Sequence, residues 1–321
     1  MIEFFFHLRP KKIPKEAIKF SNTFGLGGIT TFLFILTSIS GILLMFYYTP
    51  STQNAYFDVK RLTFIIPYGS YLRDIHRFCG ELMIPFAFLH MFRVLHKRDI
   101  FKNKYRVKNW KFGVILFLLI FPLNFTGYVL IYDKVSFWGA SIVLNAINEI
   151  PIIGEKIVKI FFGETQISDI ILTKFYCYHI VVLPLFFLLI FSLHIYYVRK
   201  AGGIKVNKSM PKIEIKELLM VELISIVIFF SIINFIVLFI FNAPLGEFAK
   251  TSNIPKIIKA PWYFWNFQLF LMYLPPYIPA FLFPLGYVIF LFSINRIKLN
   301  KLLFGLIHFI IIASIIVFKF L

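Results

Sequence analysis

Acidic residues are scarce in this sequence. Only 15 Asp and Glu stand against 34 Lys and Arg, and charged residues of all kinds fill 15% of 321 positions. A soluble domain carries roughly 25%, so this scarcity excludes a water-soluble globule; 59% of the residues are hydrophobic and 20% aromatic instead. Cysteine is rarer still. Cys79 and Cys177 stand alone, and neither falls in a CxxC or CxxCH pattern, which excludes a cysteine zinc site or covalent c-type haem attachment. Both are expected to be buried structural thiols. A cleavable signal-peptide pattern is also missing. Arg9, Lys11, Lys12, Lys15 and Lys19 precede any long apolar stretch, and the first apolar segment is expected to direct insertion.

The formal charge of +19 raises the question of a nucleic-acid partner. The cations, however, flank hydrophobic runs and form no stripe on a soluble face, which excludes that partner. A helix needs about 20 apolar residues to cross hydrocarbon, because every backbone polar group must be satisfied internally. Seven segments qualify: 26–48, 78–96, 112–132, 176–198, 219–241, 278–295 and 302–320. The expectation is therefore an all-α integral membrane protein with seven transmembrane helices.

Positive charge collects before the first segment and after the second, fourth and sixth. Lys97, Arg98, Lys102, Lys104, Arg106, Lys108 and Lys111 follow the second; Arg199, Lys200, Lys205, Lys208, Lys212 and Lys216 the fourth; Arg296, Lys298 and Lys301 the sixth. The positive-inside rule makes these cytoplasmic, with the N-terminus inside and the C-terminus outside. The opposite loops, 49–75, 133–175 and 242–277, are longer, and the apolar stretch from Ile142 to Phe162, broken by Pro151 and Gly154, suits short helices on the outer surface. The basic stretch 204–216 reads as a linker between a four-helix module, 1–203, and a three-helix module, 217–321.

Ionisable side chains inside a membrane helix are functional candidates by default. His76 and His90 are 14 residues apart on the second helix, which gives roughly 21 Å of rise and near −40° of rotation. His179 and His194 are 15 apart on the fourth, giving roughly 22 Å and about 60°. The two helices run in the same direction, so His76 is expected level with His179 near the outer surface, and His90 with His194 near the inner one. Two imidazole pairs at matched depths suit two six-coordinate haems. A single buried histidine would read as a hydrogen-bonded core residue. Gly27 and Gly41 on the first helix and Gly113 and Gly127 on the third, each pair 14 apart, offer room for a flat ring, although small-residue helix packing produces the same pattern. Arg73, three residues before His76, is the candidate partner for a haem propionate, and interfacial anchoring accounts for Arg77 and Arg93. His7, His96 and His308 carry no assignment beyond packing for His308.

The segments GLGGIT and TSISG within 25–41, YLRDIHRFCGELMIPFAFLHMFRV at 71–94, FTGYVLIYDKVSFWGAS at 125–141 and LTKFYCYHIVVLPLFFLLIFSLHIYYVRKAGG at 172–203 resemble cytochrome b of the bc-type quinol oxidoreductases over nearly the whole chain. The spacing of 15 is similar to the photosynthetic and Gram-positive branch, with that branch's separate three-helix partner fused on. The resemblance implies two non-covalent haems b. His76 and His179 would bind the outer one, and His90 and His194 the inner one. It implies quinol oxidation at an outer pocket of Phe137, Trp138, Gly139 and Ala140 with Pro261, Trp262 and Tyr263, and an inner quinone site at Arg199 and Lys200, where positive-inside anchoring serves equally well. The implied partners are a Rieske-type iron–sulfur protein, a c-type cytochrome, membrane lipids and a second copy of the complex, in a bacterial-type inner membrane.

Three departures matter. Ala260-Pro261-Trp262-Tyr263 stands where the family has Pro-Glu-Trp-Tyr, so the proton-accepting glutamate is missing and Asp133, Tyr132 and Tyr263 become the substitutes, Asp133 first. Gly25 replaces the cysteine that holds an extra c-type haem in the photosynthetic branch, which implies two haems only. Thr37 replaces a common glutamine and carries no assigned role. Two other readings stay open at this level. One is a di-haem anchor of another quinone-linked enzyme, which predicts four or five helices and no Trp-Gly-Ala or Pro-Trp-Tyr segment. The other is a proton-relay transporter, which predicts inverted repeats and no haem α-band.

Overall fold

A computed structural model describes residues 12–15, 24–96, 103–201, 211–249, 258–294 and 301–320. Arg9, Lys11, Lys19, Lys97, Arg98, Lys102, Lys205, Lys208, Arg296 and Lys298 of the topology argument lie outside the described residues, as do His7 and most of the linker. The helices in chain order are α1 Leu26–Met45, α2 Ala55–Phe64, α3 Gly69–His96, α4 Lys104–Val129, α5 Lys134–Asn148, α6 Gly154–Phe161, α7 Asp169–Cys177, α8 Leu183–Lys200, α9 Ile215–Phe239, α10 Trp265–Leu271, α11 Phe283–Ser293 and α12 Lys301–Phe320. A short antiparallel ladder pairs Lys12 with Glu214, Ile13 with Ile213 and Pro14 with Lys212.

Five described spans are long and apolar enough to cross a membrane: α1, α3, α4, the run Asp169–Lys200 and α9; Ile278–Ser293 is apolar but shorter. Their outward surfaces are apolar too. Ile35, Ile39 and Ile42 on α1, Leu185 and Leu189 on α8, and Leu223, Val227 and Ile228 on α9 are all exposed. Stripes of that size would be costly against water and are natural against lipid, so the protein is an integral membrane protein.

The helices outrun the hydrophobic segments. α3 starts at Gly69, not 78, and α4 at Lys104, not 112. A hydropathy window stops at Arg73, Asp74 or Lys108, but a helix continues through a charge that finds a partner. Arg77 pairs with Glu81 at 2.9 Å one turn on. The loops expected outside are helical at α5 and α6, and α2 adds a helix in the first of them.

Two π turns, Tyr178–Val182 within the run from α7 to α8 and Ile278–Leu282 at the start of the run into α11, each end two residues before a proline, Pro184 or Pro284. Proline lacks the N–H that would pair with the carbonyl four residues back and crowds that carbonyl; a wider turn just upstream relieves both. This corrects the rotation expected from His179 to His194. One turn of that interval is wider than an α turn, so it holds the extra residue that the interval from His76 to His90 lacks.

The chain forms two compact units. The first comprises 1–46, 66–122 and 183–243, the second 47–65, 123–182 and 244–321. In the first, Phe34 stacks on Phe187 at 4.3 Å, Phe78 packs on Phe241 at 4.8 Å and Phe86 on Phe229 at 5.2 Å. In the second, Tyr56, Val129, Leu130, Phe137, Leu144, Leu172 and Phe175 make a continuous buried core. Of the two cysteines, Cys79 is buried as expected, whereas Cys177 is exposed. It is the last residue of α7, and a thiol is apolar enough for an outer surface, so composition could not separate the two settings.

Gly154 opens α6, where an added Cβ would lie 2.4 Å from the carbonyl oxygens of both Asn148 and Ile147. Backbone cannot yield as a side chain can, so Gly154→Ala is expected to lower stability by about 1–3 kcal/mol. Thermal unfolding in detergent measures this, with Gly28→Ala, which meets open space, as the control.

Candidate functional site

The four helix histidines each face a glycine. A Cβ on Gly41 would lie 2.9 Å from Cε1 of His76, on Gly27 3.0 Å from His90, on Gly113 3.2 Å from His194 and on Gly127 2.6 Å from His179. The glycines thus make room for the imidazoles themselves, where the sequence reading gave them a flat ring to accommodate. The reason lies in the hydrogen bonds. Nδ1 of His76 meets the Thr37 carbonyl at 2.9 Å, that of His179 the Leu123 carbonyl at 3.1 Å and that of His194 the Asn109 carbonyl at 3.2 Å. Each carbonyl belongs to the residue four before the facing glycine. For His90 the corresponding residue, Thr23, lies outside the described residues.

In an α-helix the carbonyl of residue i already accepts from the N–H of residue i+4. A side chain at i+4 would cover its second lone pair; a glycine there leaves it open to an outside donor. A carbonyl can only accept, so in these three histidines Nδ1 carries the proton and Nε2 is the unprotonated nitrogen. That tautomer is the one a metal ligand needs, and a carbonyl partner fixes ring orientation as well. Ser40 Oγ and Thr126 Oγ1 also approach Nδ1 of His76 and His179, each at 3.1 Å.

Within the first unit the rings of His90 and His194 have centroids 6.5 Å apart. Two metal–nitrogen bonds of about 2 Å, plus about 1 Å from each nitrogen to its ring centre, add to roughly 6 Å. The spacing fits one iron between two imidazoles. No set of three or more His, Cys, Asp or Glu side chains converges among the described residues.

A family model for cytochrome b/b6 matches residues 12–202. The chain belongs to the cytochrome b/b6 family. It is similar to cytochrome b6 of Heliomicrobium gestii, with 34% identity over 56% of this chain and 83% of the relative. Cytochrome b6 of Heliobacterium modesticaldum is 36% identical over 50% of this chain and 74% of the relative. That of Prochlorothrix hollandica is 36% identical over 55% and 79%. A chain of a hyperthermophilic respiratory complex III shares the fold, with a TM-score of 0.81 at 21% identity, over 99% of this chain and 88% of its own. Membership in the family implies b-type haem and electron transfer.

The family's motif segments divide between the units. In the second unit Asp133 caps α5. One carboxylate oxygen accepts from the Ser136 amide at 2.9 Å and the other from the Gly246 amide at 2.8 Å. Lys134 N donates to Glu247 O at 2.7 Å, and Tyr56 donates to Gly246 O at 3.0 Å. The residue put first as a proton acceptor is therefore also the pin that ties 246–248 to α5. The Tyr132 phenol has its pKa raised by burial, then by the charge of Asp169, which favours a hydrogen-bond donor over a base.

Phe137 and Ala140 are buried and Gly139 lies against the Tyr128 ring, where a Cβ would meet the hydroxyl at 3.1 Å. Trp138 Nε1 is buried with no hydrogen-bond partner among the described residues. Pro261, Trp262 and Tyr263 form a tight turn: Trp265 Nε1 donates to the Ala260 carbonyl at 2.7 Å, and Phe264 N to the Pro261 carbonyl at 2.8 Å. Phe264 reaches Phe125 at 5.8 Å, and Phe125 reaches Phe175 at 5.8 Å. The two expected outer-site segments thus meet one aromatic core.

In the first unit Arg73 is buried and donates to the Ala243 carbonyl at 2.9 Å, a partner the sequence did not suggest. Lys200 lies over the Tyr196 ring and Lys108 over Tyr197, so Arg199 and Lys200 share one end of the unit with the start of α4. Thr37 does act, through its carbonyl. A backbone group serves with any side chain, which explains why threonine is tolerated there. His308 is a packing residue as expected, 4% exposed and bonded to the Tyr287 hydroxyl at 2.9 Å, and His96 stacks on Phe92.

Asp133→Ala removes a helix cap worth about 1 kcal/mol and a charged acceptor worth roughly 1.5–3 kcal/mol. A lower unfolding temperature in detergent is the expected result, with Ser136 and Gly246 amides gaining hydrogen exchange before the rest of α5.

Proposed function

We propose that this chain is the cytochrome b subunit of a bc-type complex. It would oxidise quinol at an outer site and pass electrons through two b haems to an inner quinone site, with protons released outside and taken up inside. The reading gives the chain seven transmembrane helices, in a four-helix haem module, 1–203, joined through 204–216 to a three-helix module, 217–321. Its N-terminus would be cytoplasmic and its C-terminus outside, in a bacterial-type inner membrane. A Rieske-type iron–sulfur protein and a c-type cytochrome would be its partners, in a complex that pairs with a second copy of itself.

The observation that carries this reading is the 6.5 Å separation of the His90 and His194 rings, backed by the repeated glycine and carbonyl arrangement. His90 and His194 would hold the inner haem. His76 and His179 would hold the outer one, an assignment that rests on their matched sequence depths and on the same tautomer-fixing contacts in each ring's own surroundings. Bound haem supplies one-electron chemistry at its iron. With Nδ1 of His76, His179 and His194 turned to backbone carbonyls, their Nε2 atoms would be the iron ligands, His90 would supply the fourth, and Arg73 would face a propionate.

At the outer site Phe137, Trp138, Gly139, Pro261, Trp262 and Tyr263 would enclose the quinol ring, with the unpartnered Trp138 N–H a donor for a quinone oxygen. Asp133 and Tyr263 are the proton-accepting candidates, and Tyr132 a donor. Arg199 and Lys200 would face the inner quinone. The fused three-helix module and the Trp-Gly-Ala and Pro-Trp-Tyr segments favour this reading over a di-haem anchor of another enzyme.

A pyridine-haemochrome count on the purified chain should give two haems b. His90→Ala should lose one low-spin haem and keep the other; unchanged low-spin spectra, or a count of three, would refute the assignment. Gly127→Ala, whose Cβ would overlap His179 most closely, should disturb haem binding more than Gly113→Ala, read as loss of low-spin absorbance. Full quinol turnover in Asp133→Asn would remove Asp133 as the base.

A further inference from the structure

We propose that the hydroxyls of Ser40 and Thr126 are second acceptors for the Nδ1–H groups of His76 and His179 and lower the midpoint potential of the haem those two residues would hold, an inference that rests on the haem ligation proposed above. In an α-helix the carbonyl of residue i lies beside the side chains of residues i+3 and i+4. Around the Thr37 carbonyl these are Ser40 and Gly41, and around the Leu123 carbonyl they are Thr126 and Gly127. The glycine lets the imidazole in, and the hydroxyl beside it meets the same nitrogen. Ser40 Oγ lies 3.1 Å from Nδ1 of His76, and Thr126 Oγ1 lies 3.1 Å from Nδ1 of His179. Ser40 and Thr126 are both buried, at 3% and 5% exposure, so the contacts are shielded from solvent.

The hydrogen-bond directions leave one assignment. The Thr37 and Leu123 carbonyls only accept, so Nδ1 is the donor in each ring. A hydroxyl facing a donor must accept, and its own proton has another place to go. Ser40 donates to the Leu36 carbonyl at 2.8 Å, with the Thr37 carbonyl at 3.0 Å, and Thr126 donates to the Leu123 carbonyl at 3.1 Å. Thr30, Thr31, Thr37 and Ser38 also bond back to their own helix, so back-bonding alone is only local packing. What Ser40 and Thr126 add is an oxygen lone pair turned to an imidazole.

A second acceptor draws the Nδ1–H bond outward and pushes electron density toward Nε2, which makes that nitrogen a more basic ligand. A more basic ligand favours ferric over ferrous iron and so lowers the potential. The residues in the matching position beside Gly113 and Gly27 are Phe112 and Leu26, which have no hydroxyl to offer His194 or His90. Through this position the chain acts on the ligands of one haem alone. A general loosening of the protein would have no such selectivity.

Redox potentiometry of the complete complex tests this, with the two b haems resolved by their α-bands and the band lost in His76→Ala marking the haem in question. Ser40→Ala and Thr126→Val each remove a hydroxyl and little else. Either should shift that haem's midpoint upward and leave the other near its wild-type value, with a larger shift in the double variant. Ser40→Thr and Thr126→Ser keep a hydroxyl and should hold the wild-type pattern. Unmoved midpoints at full haem content overturn the inference and leave the haem assignment standing; so do equal shifts of both haems. If Ser40→Ala and Thr126→Val lose haem while Ser40→Thr and Thr126→Ser retain it, the hydroxyls serve packing and the inference fails. Shifts of different haems by the two single variants, or two low-spin haems retained in His76→Ala, would overturn the ligation underneath it instead.

Discussion

The bond from an imidazole Nδ1 to a carbonyl inside a neighbouring helix is the contact on which the site depends. Helix carbonyls are ordinarily covered by the side chain one turn on, and a membrane helix offers no water to replace a lost partner. A glycine four residues later uncovers the second lone pair without breaking the ladder. Gly41 does this for Thr37, Gly127 for Leu123 and Gly113 for Asn109. One glycine therefore allows close approach, fixes the tautomer and aims Nε2, and helix spacing repeats the device about 14 residues on.

Charge inside the hydrocarbon obeys a second constraint, that each group needs company. On α3, Arg73 and Asp74 share Ala243 and Arg77 holds Glu81, while Tyr71 bonds to Asn234 on α9. These contacts fasten the last part of the first unit, around α9 and Ala243, to the helix that carries His76. The polar residues that a hydropathy profile treats as the end of a span are the ones that dock one helix on another.

The second unit shows how one residue can be read in two ways. Asp133 follows the third apolar segment and precedes the Trp-Gly-Ala helix, so it was the first substitute for the missing glutamate. Its two oxygens are taken by the amides of Ser136 and Gly246. The Asp133 to Ser136 spacing is that of a helix cap, a signal available in the sequence. The bond to Gly246 was not, because 113 positions separate the partners.

The sequence alone determined the membrane setting, the four histidines, their glycines and the family, because hydropathy, helical period and motif order are local properties. It also placed the short helices α5 and α6 and left His308 to packing, as its bond to Tyr287 bears out. Tertiary structure alone decided what the glycines face, which carbonyls fix the imidazoles, that Arg73 and Asp74 grip Ala243, that Cys177 is exposed, and where the two π turns fall. Pro184 and Pro284 mark those turns in hindsight, but Pro85 and Pro122 lie within continuous α-helix, so proline alone did not specify them. The reason is common to the contacts among these: a hydrogen bond or a close approach is set by the partner across the interface, and the chain carries that partner tens of residues or more away.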